Sequence, residues 1–222
     1  MIGLVVALSS EAKSVIDNIK IEKEYDLCGK KVVEGEFNNE KVVLIISSIG
    51  KVNSALSTQY LIDKYSPKYI INFGTCGGVN KSVEKLNYYL ANKCAQYDFD
   101  LSQLDDVPVG FIQDYNLVFF PANLPINSTF KVTTLASSDR FTCKDEDVKL
   151  VNDMGASICD MEGGAIAQVC LTNGVPLYVL KGITDVSGSG TAPEQFYENL
   201  KTVCNGFAIQ LEKLIAEIKE SE

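Results

Sequence analysis

Apolar residues along this chain are arranged in two ways. Short, largely apolar runs, typical of strands buried on both faces, occur at 2–7, 69–73 and 175–180. Between them, apolar positions return every three or four residues, the period of an amphipathic helix. The first run ends at Ser9-Ser10, which suits the start of a helix predicted over 11–19. Segments 31–37 and 41–47 predict a hairpin around Asn38-Asn39. A helix follows at 52–65, stopped by Ser66-Pro67, and the strand at 69–73 is expected to end in a loop, Gly74-Thr-Cys-Gly-Gly78. Further strands are expected at 90–96, 129–136, 156–160 and 175–183. Helices are expected at 145–154, 163–172 and, longest of all, 193–219. The alternation predicts an α/β fold: one domain over 1–222, a three-layer α/β/α sandwich around a mixed, largely parallel central sheet. No repeat, low-complexity tract or linker interrupts it.

Composition narrows the function. The chain has 222 residues, 46% of them hydrophobic, and a net charge of −9, which argues against nucleic acid or an anionic membrane surface as partner. No apolar stretch approaches the roughly 18 residues of a membrane span. The N-terminus reads as a first strand rather than a basic leader, so a cytoplasmic location is expected. Seven cysteines are scattered without a C-x-x-C pair, which disfavours a disulfide framework or a zinc site. With no histidine, the commonest metal ligand and general base are both missing, and neither metal nor cofactor is expected. Arg140 is the sole arginine.

Two acids stand out. Glu162 follows the run ending Cys159-Asp-Met, and Asp185 follows the run ending Lys181-Gly-Ile-Thr. Carboxyl ends of parallel strands are where open α/β sheets bind ligands, so both are candidates for sugar binding and proton donation. Glu162 has a plainer reading as a helix-cap acid, and Glu11 one as a first-turn acid beside the helix dipole; Asp185, past a buried strand, is harder to dismiss. Phe141 suits a core aromatic.

Segments Ala7-Leu-Ser-Ser-Glu11-Ala, Ser48-Ile-Gly-Lys-Val-Asn53, Ile71-Asn-Phe-Gly-Thr-Cys-Gly-Gly78, Ser138-Asp-Arg-Phe141 and Asp160-Met-Glu162 with Thr184-Asp185 together resemble the nucleoside phosphorylase and nucleosidase superfamily. The likeness is greatest to its 5′-methylthioadenosine/S-adenosylhomocysteine nucleosidases. The resemblance implies roles. Asp185 would protonate purine N7 as the N-glycosidic bond breaks, and Glu11 would orient and deprotonate the attacking water. Glu162, beside the Met161 backbone, would hold the ribose hydroxyls. Phe141 would stack on adenine, the Thr142 backbone would read its amino edge, and Ile49 would line the 5′-substituent pocket. The resemblance also implies a homodimer acting on a small purine nucleoside. To donate at neutral pH, Asp185 needs its pKa lifted to near 7, at a cost of about 4 kcal/mol.

Whether water or phosphate attacks the sugar divides the superfamily. Its phosphorylases build a phosphate site from a glycine-rich N-terminal turn and several arginines. Here that loop is Leu8-Ser-Ser-Glu11, without glycine and with an acid that repels phosphate at close range. One arginine leaves little for bidentate phosphate recognition. Water is the expected nucleophile. The chain departs from the nucleosidase pattern at Lys181 (usually arginine near the water), at Thr75 and Thr184 (usually serine) and at Pro193, where an aromatic lid residue is expected and Phe196 stands one helical turn on. Two rivals remain open: another nucleosidase or phosphorylase of the superfamily, and a nucleoside-binding sensor without catalysis.

Overall fold

The computed structural model describes residues 1–142, 144–187 and 191–221. The glycine-rich stretch after Ser187 and Cys143 lie outside the described residues.

β1 (Ile2–Val6) is buried on both faces, and its alternate side chains enter different cores. Leu4 and Val6 point to one cluster and Val5 to the other, as the two-residue strand period requires. β4 (Glu40–Ile46) and β5 (Ile70–Gly78) flank β1 in parallel. β3 (Lys30–Phe37) turns into β4 through Asn38 and Asn39, both at positive φ (48° and 62°). Two left-handed residues give a turn whose twist matches a hairpin, and asparagine tolerates them. β2 (Lys20–Leu27), which the apolar pattern did not predict, adds an exposed, charge-rich edge. Charged edges of this kind resist pairing with other chains.

On its other side the sheet curls back on itself. β10 (Leu177–Val186) lies parallel to β5 and antiparallel to β6 (Tyr88–Gln96). β6 pairs with the short β7 (Phe119–Pro121) and with β8 (Lys131–Ser137). β8 runs parallel to β9 (Ile158–Asp160), and β9 returns antiparallel to β5 at Gly77 and Gly78. β5, β10, β6, β8 and β9 therefore form a closed ring within the mixed sheet.

Helices cover both faces, giving the expected three layers. α1 (Ser9–Ile16) and α5 (Ala192–Lys219) pack together on one face. Phe207, Leu211, Leu214, Ile215 and Ile218 of α5 are buried there at helical spacing. α2 (Lys51–Tyr65) and α4 (Gly163–Asn173) pair on the other face, and α3 (Asp145–Asp153) closes a small third cluster.

One expectation is corrected. Segment 74–78 is not a loop but the last part of β5. Its glycines are needed for close approach. A Cβ on Gly77 would stand 3.0 Å from Asp185 Oδ2, and one on Gly74, at φ +157°, 3.1 Å from Glu11 Oε1. Glycine here lets acids from two other elements press against the strand.

Candidate active site

At the carboxyl ends of β1, β5, β9 and β10 lies a cavity of about 340 Å³. Glu11, Ile49, Thr75, Phe141, Thr142, Met161, Glu162, Thr184 and Asp185 all line it. Of the residues expected from sequence to touch substrate, only Lys181 does not.

Glu11 is 3% exposed and occupies the third position of α1. Its Oε2 accepts the Leu8 N–H at 3.0 Å, the reciprocal half of a helix cap. Its Oε1 accepts both the Thr75 N–H (2.6 Å) and the Thr75 hydroxyl (2.7 Å). The plain capping role is therefore real, and it also fixes the carboxylate against the cavity. Burial raises its pKa above the usual range, and the Thr75 bonds, the Lys181 charge and the Leu8 bond only partly offset this.

Glu162 is the residue before α4 and is 7% exposed. Its Oε1 accepts the Gly50 N–H at 2.9 Å. Burial, then the charge of Asp160, pushes its pKa to about 8 against the pull of Lys181 and the Gly50 amide. Asp185 is 1% exposed at the end of β10, where the register with β5 shifts. The Thr184 hydroxyl donates to its Oδ1 at 2.8 Å. Burial raises its pKa to about 6, opposed by that bond and by Lys85.

The aromatic side of the mouth is built by Phe141, 42% exposed, meeting Phe196 of α5 edge to face at 5.9 Å. Phe196 lines the cavity whereas Pro193 does not, so the aromatic stands a helical turn beyond the expected position. The Thr142 hydroxyl bonds that of buried Tyr97 at 2.6 Å. Arg140 borders the cavity, yet its guanidinium is held by Asp147 at 2.7 Å.

Lys181 lies beneath the floor, its Nζ 2.8 Å from Asp160 Oδ2, with both side chains almost fully enclosed. Asp160, Arg140, Cys76, Gly77 and Cys159 also line the cavity, and no site role was expected of them from sequence. For Asp160 a signal existed: a lone acid and a lone lysine, each inside a buried strand, need one another. Burial holds the Cys159 thiol up at about 12 and Cys76 well above its usual value, so neither is a poised nucleophile. Among the described residues no group of three or more cysteine, aspartate or glutamate side chains is arranged to hold a metal ion.

The chain resembles known proteins over most of its length. The family model of the phosphorylase superfamily matches residues 1–220. A 5′-methylthioadenosine/S-adenosylhomocysteine nucleosidase from Buchnera aphidicola subsp. Schizaphis graminum is 30% identical over 213 residues, 90% of this chain and 89% of that protein. An aminodeoxyfutalosine nucleosidase from Campylobacter jejuni is 27% identical over 199 residues, covering 84% of this chain and 86% of its own. The solved 5′-methylthioadenosine/S-adenosylhomocysteine nucleosidase from Helicobacter pylori with butyl-thio-DADMe-Immucillin-A matches with a TM-score of 0.89 and 28% identity, covering 97% of both chains. The chain belongs to the phosphorylase superfamily, and the three relatives named above carry nucleosidase names.

Proposed function

We propose that this protein hydrolyses the N-glycosidic bond of 5′-methylthioadenosine and S-adenosylhomocysteine, releasing adenine and the 5-substituted ribose. One observation carries the reading. Glu11, Glu162 and Asp185 line one cavity, while its single described lining cation, Arg140, is tied to Asp147. A phosphate dianion would meet carboxylates there and find no free cation. Water and a positively charged sugar suit the same surroundings.

The chemistry follows from the charges. Breaking the bond leaves positive charge on the ribose and negative charge on the base. Asp185 donates its proton to N7, neutralising the leaving adenine. Glu162 accepts hydrogen bonds from the ribose hydroxyls, and Glu11 takes a proton from the water that attacks the anomeric carbon. Met161, Ile49 and Thr75 complete the sugar side, Phe141 stacks on the base, and the Thr142 backbone reads its amino edge. General acid catalysis contributes typically about 10²- to 10⁴-fold, or roughly 3 to 5 kcal/mol. With its pKa at about 6, Asp185 is protonated at pH 7 for only about 1.4 kcal/mol, against about 4 for an ordinary aspartate.

A homodimer and a cytoplasmic setting belong to the same reading. Ile49, Val52 and Leu56 form an apolar stripe exposed by 47%, 78% and 61%, which a second copy would cover. No described helix is long and apolar enough to cross a membrane.

The test is release of the free base, adenine from methylthioadenosine, S-adenosylhomocysteine, 5′-deoxyadenosine and adenosine or hypoxanthine from inosine, with and without phosphate. Release from the first two in phosphate-free buffer is expected. Cleavage that needs phosphate means a phosphorylase, and tight binding without turnover means a sensor.

A further inference from the structure

Beneath the cavity floor lies an ion pair that folding alone does not require. Lys181 and Asp160 are both nearly fully enclosed, 2.8 Å apart. Taking two charges out of water costs about as much as their attraction returns, and well-packed apolar residues of similar size often serve stability as well or better. The pair's neighbours suggest another use.

Asp160 Oδ2 accepts from Lys181 and also from the Gly163 N–H at 2.9 Å. Its Oδ1 accepts from the Ser137 hydroxyl at 2.5 Å, and Ser137 Oγ in turn accepts the Gly164 N–H at 2.8 Å. Those two amides open α4, the helix whose preceding residue is Glu162. The helix start comes this close only because both residues are glycine. A Cβ on Gly163 would lie 2.3 Å from Leu135 Cδ2, and one on Gly164 would lie 2.5 Å from the Ala95 carbonyl oxygen. One carboxylate thus anchors the cation under the floor and the segment that carries Glu162.

We propose that Asp160 is a positioning residue for the hydrolysis: it fixes the Lys181 ammonium and the first turn of α4 together, so that one buried cation is shared in set proportion among Asp160, Glu162 and Glu11. The inference rests on the nucleosidase reading of the cavity. Glu162 faces Asp160 on β9, Lys181 on β10, Glu11 on α1 and the Gly50 amide before α2. Asp160 keeps protons on Glu162, and Lys181 removes them. Their effects are opposite in sign.

The test follows that opposition. The full chain, labelled with ¹³C at glutamate side-chain carboxyls, is titrated from pH 4 to 10 without ligand, and the Glu162 signal is assigned with E162Q. D160N lowers the Glu162 midpoint by about one pH unit or more, and K181M raises it by a similar amount, the scale of a charge at close range. The neutral pair D160N/K181M returns it toward the parent value. Mere loosening of the site would admit water and lower the midpoint in both single variants. Shifts of the same sign, or no shift in either, therefore overturn the proposal. If K181M does not fold, the rise from D160N to D160N/K181M measures the same effect. D160N is also expected to lower kcat for adenine release about ten-fold or more, and an unchanged kcat refutes a role in the reaction. The titrations need no turnover. If they behave as stated but no nucleoside is cleaved, the hydrolase reading fails; if adenine is released but both midpoints fall, the positioning role fails.

Discussion

Replacing Asp185 by asparagine is expected to make the protein more stable and nearly inactive. The folded pKa of Asp185 is about 6, against an ordinary 3.8, with burial as the principal cause. Asp185 is 1% exposed, so little solvent screens it. A folded pKa above the unfolded one means that the native state binds the extra proton. Stability is then fullest below about pH 4, falls as pH rises toward 6, and carries the whole penalty above that. The penalty is about 3 kcal/mol at pH 8. Asparagine has the same shape, keeps an acceptor for the Thr184 hydroxyl and carries no charge. Asp185→Asn should therefore gain about 2 to 3 kcal/mol at pH 8 and almost nothing at pH 4. For a chain of this length that is a Tm increase of roughly 4 to 12 °C, while turnover falls by about 10²- to 10⁴-fold. The absence of histidine removes the side chain that usually dominates titration in this range. The assay is denaturant unfolding of both proteins at pH 4 and pH 8. A gain that is equal at both values, or absent at pH 8, would mean that the buried Asp185 charge does not cost the fold this stability.

Three further outcomes are expected. Glu11→Gln loses hydrolysis by at least about 100-fold while an adenosine analogue still binds in calorimetry; unchanged turnover removes Glu11 as the base. Phe141→Ala raises KM about five-fold, through loss of stacking worth about 1 kcal/mol, and leaves Tm almost unmoved because the ring is 42% exposed; an unaltered KM places the base elsewhere. Gly164→Ala destabilises by about 1 to 3 kcal/mol, since the new Cβ would meet the Ala95 carbonyl at 2.5 Å; an unchanged denaturation midpoint means that the backbone yields freely there.

Much of the layering was legible because local pattern and burial agree. β1 reads as a continuous apolar run since both faces are covered, and the helical period of α5 matches the face it buries. β2 escaped notice because an edge strand is stabilised by one neighbour and keeps its charges in water. The ring closure was invisible for a different reason. Pairing Gly77 with Cys159 is a non-local choice that no sequence period records. The same holds within the site. Glu162 and Asp185 were marked by their places after apolar runs and Glu11 by the family resemblance, and all three line the cavity. Asp160 and Lys181 lie within strands, and only the fold reveals that they meet.

The central claim is that water, not phosphate, attacks the sugar. Methylthioadenosine turned over in ¹⁸O-labelled water with excess unlabelled phosphate tests it directly. One ¹⁸O is expected at the anomeric position of the released methylthioribose, with a rate independent of phosphate. An unlabelled sugar phosphate, formed only when phosphate is present, would contradict it.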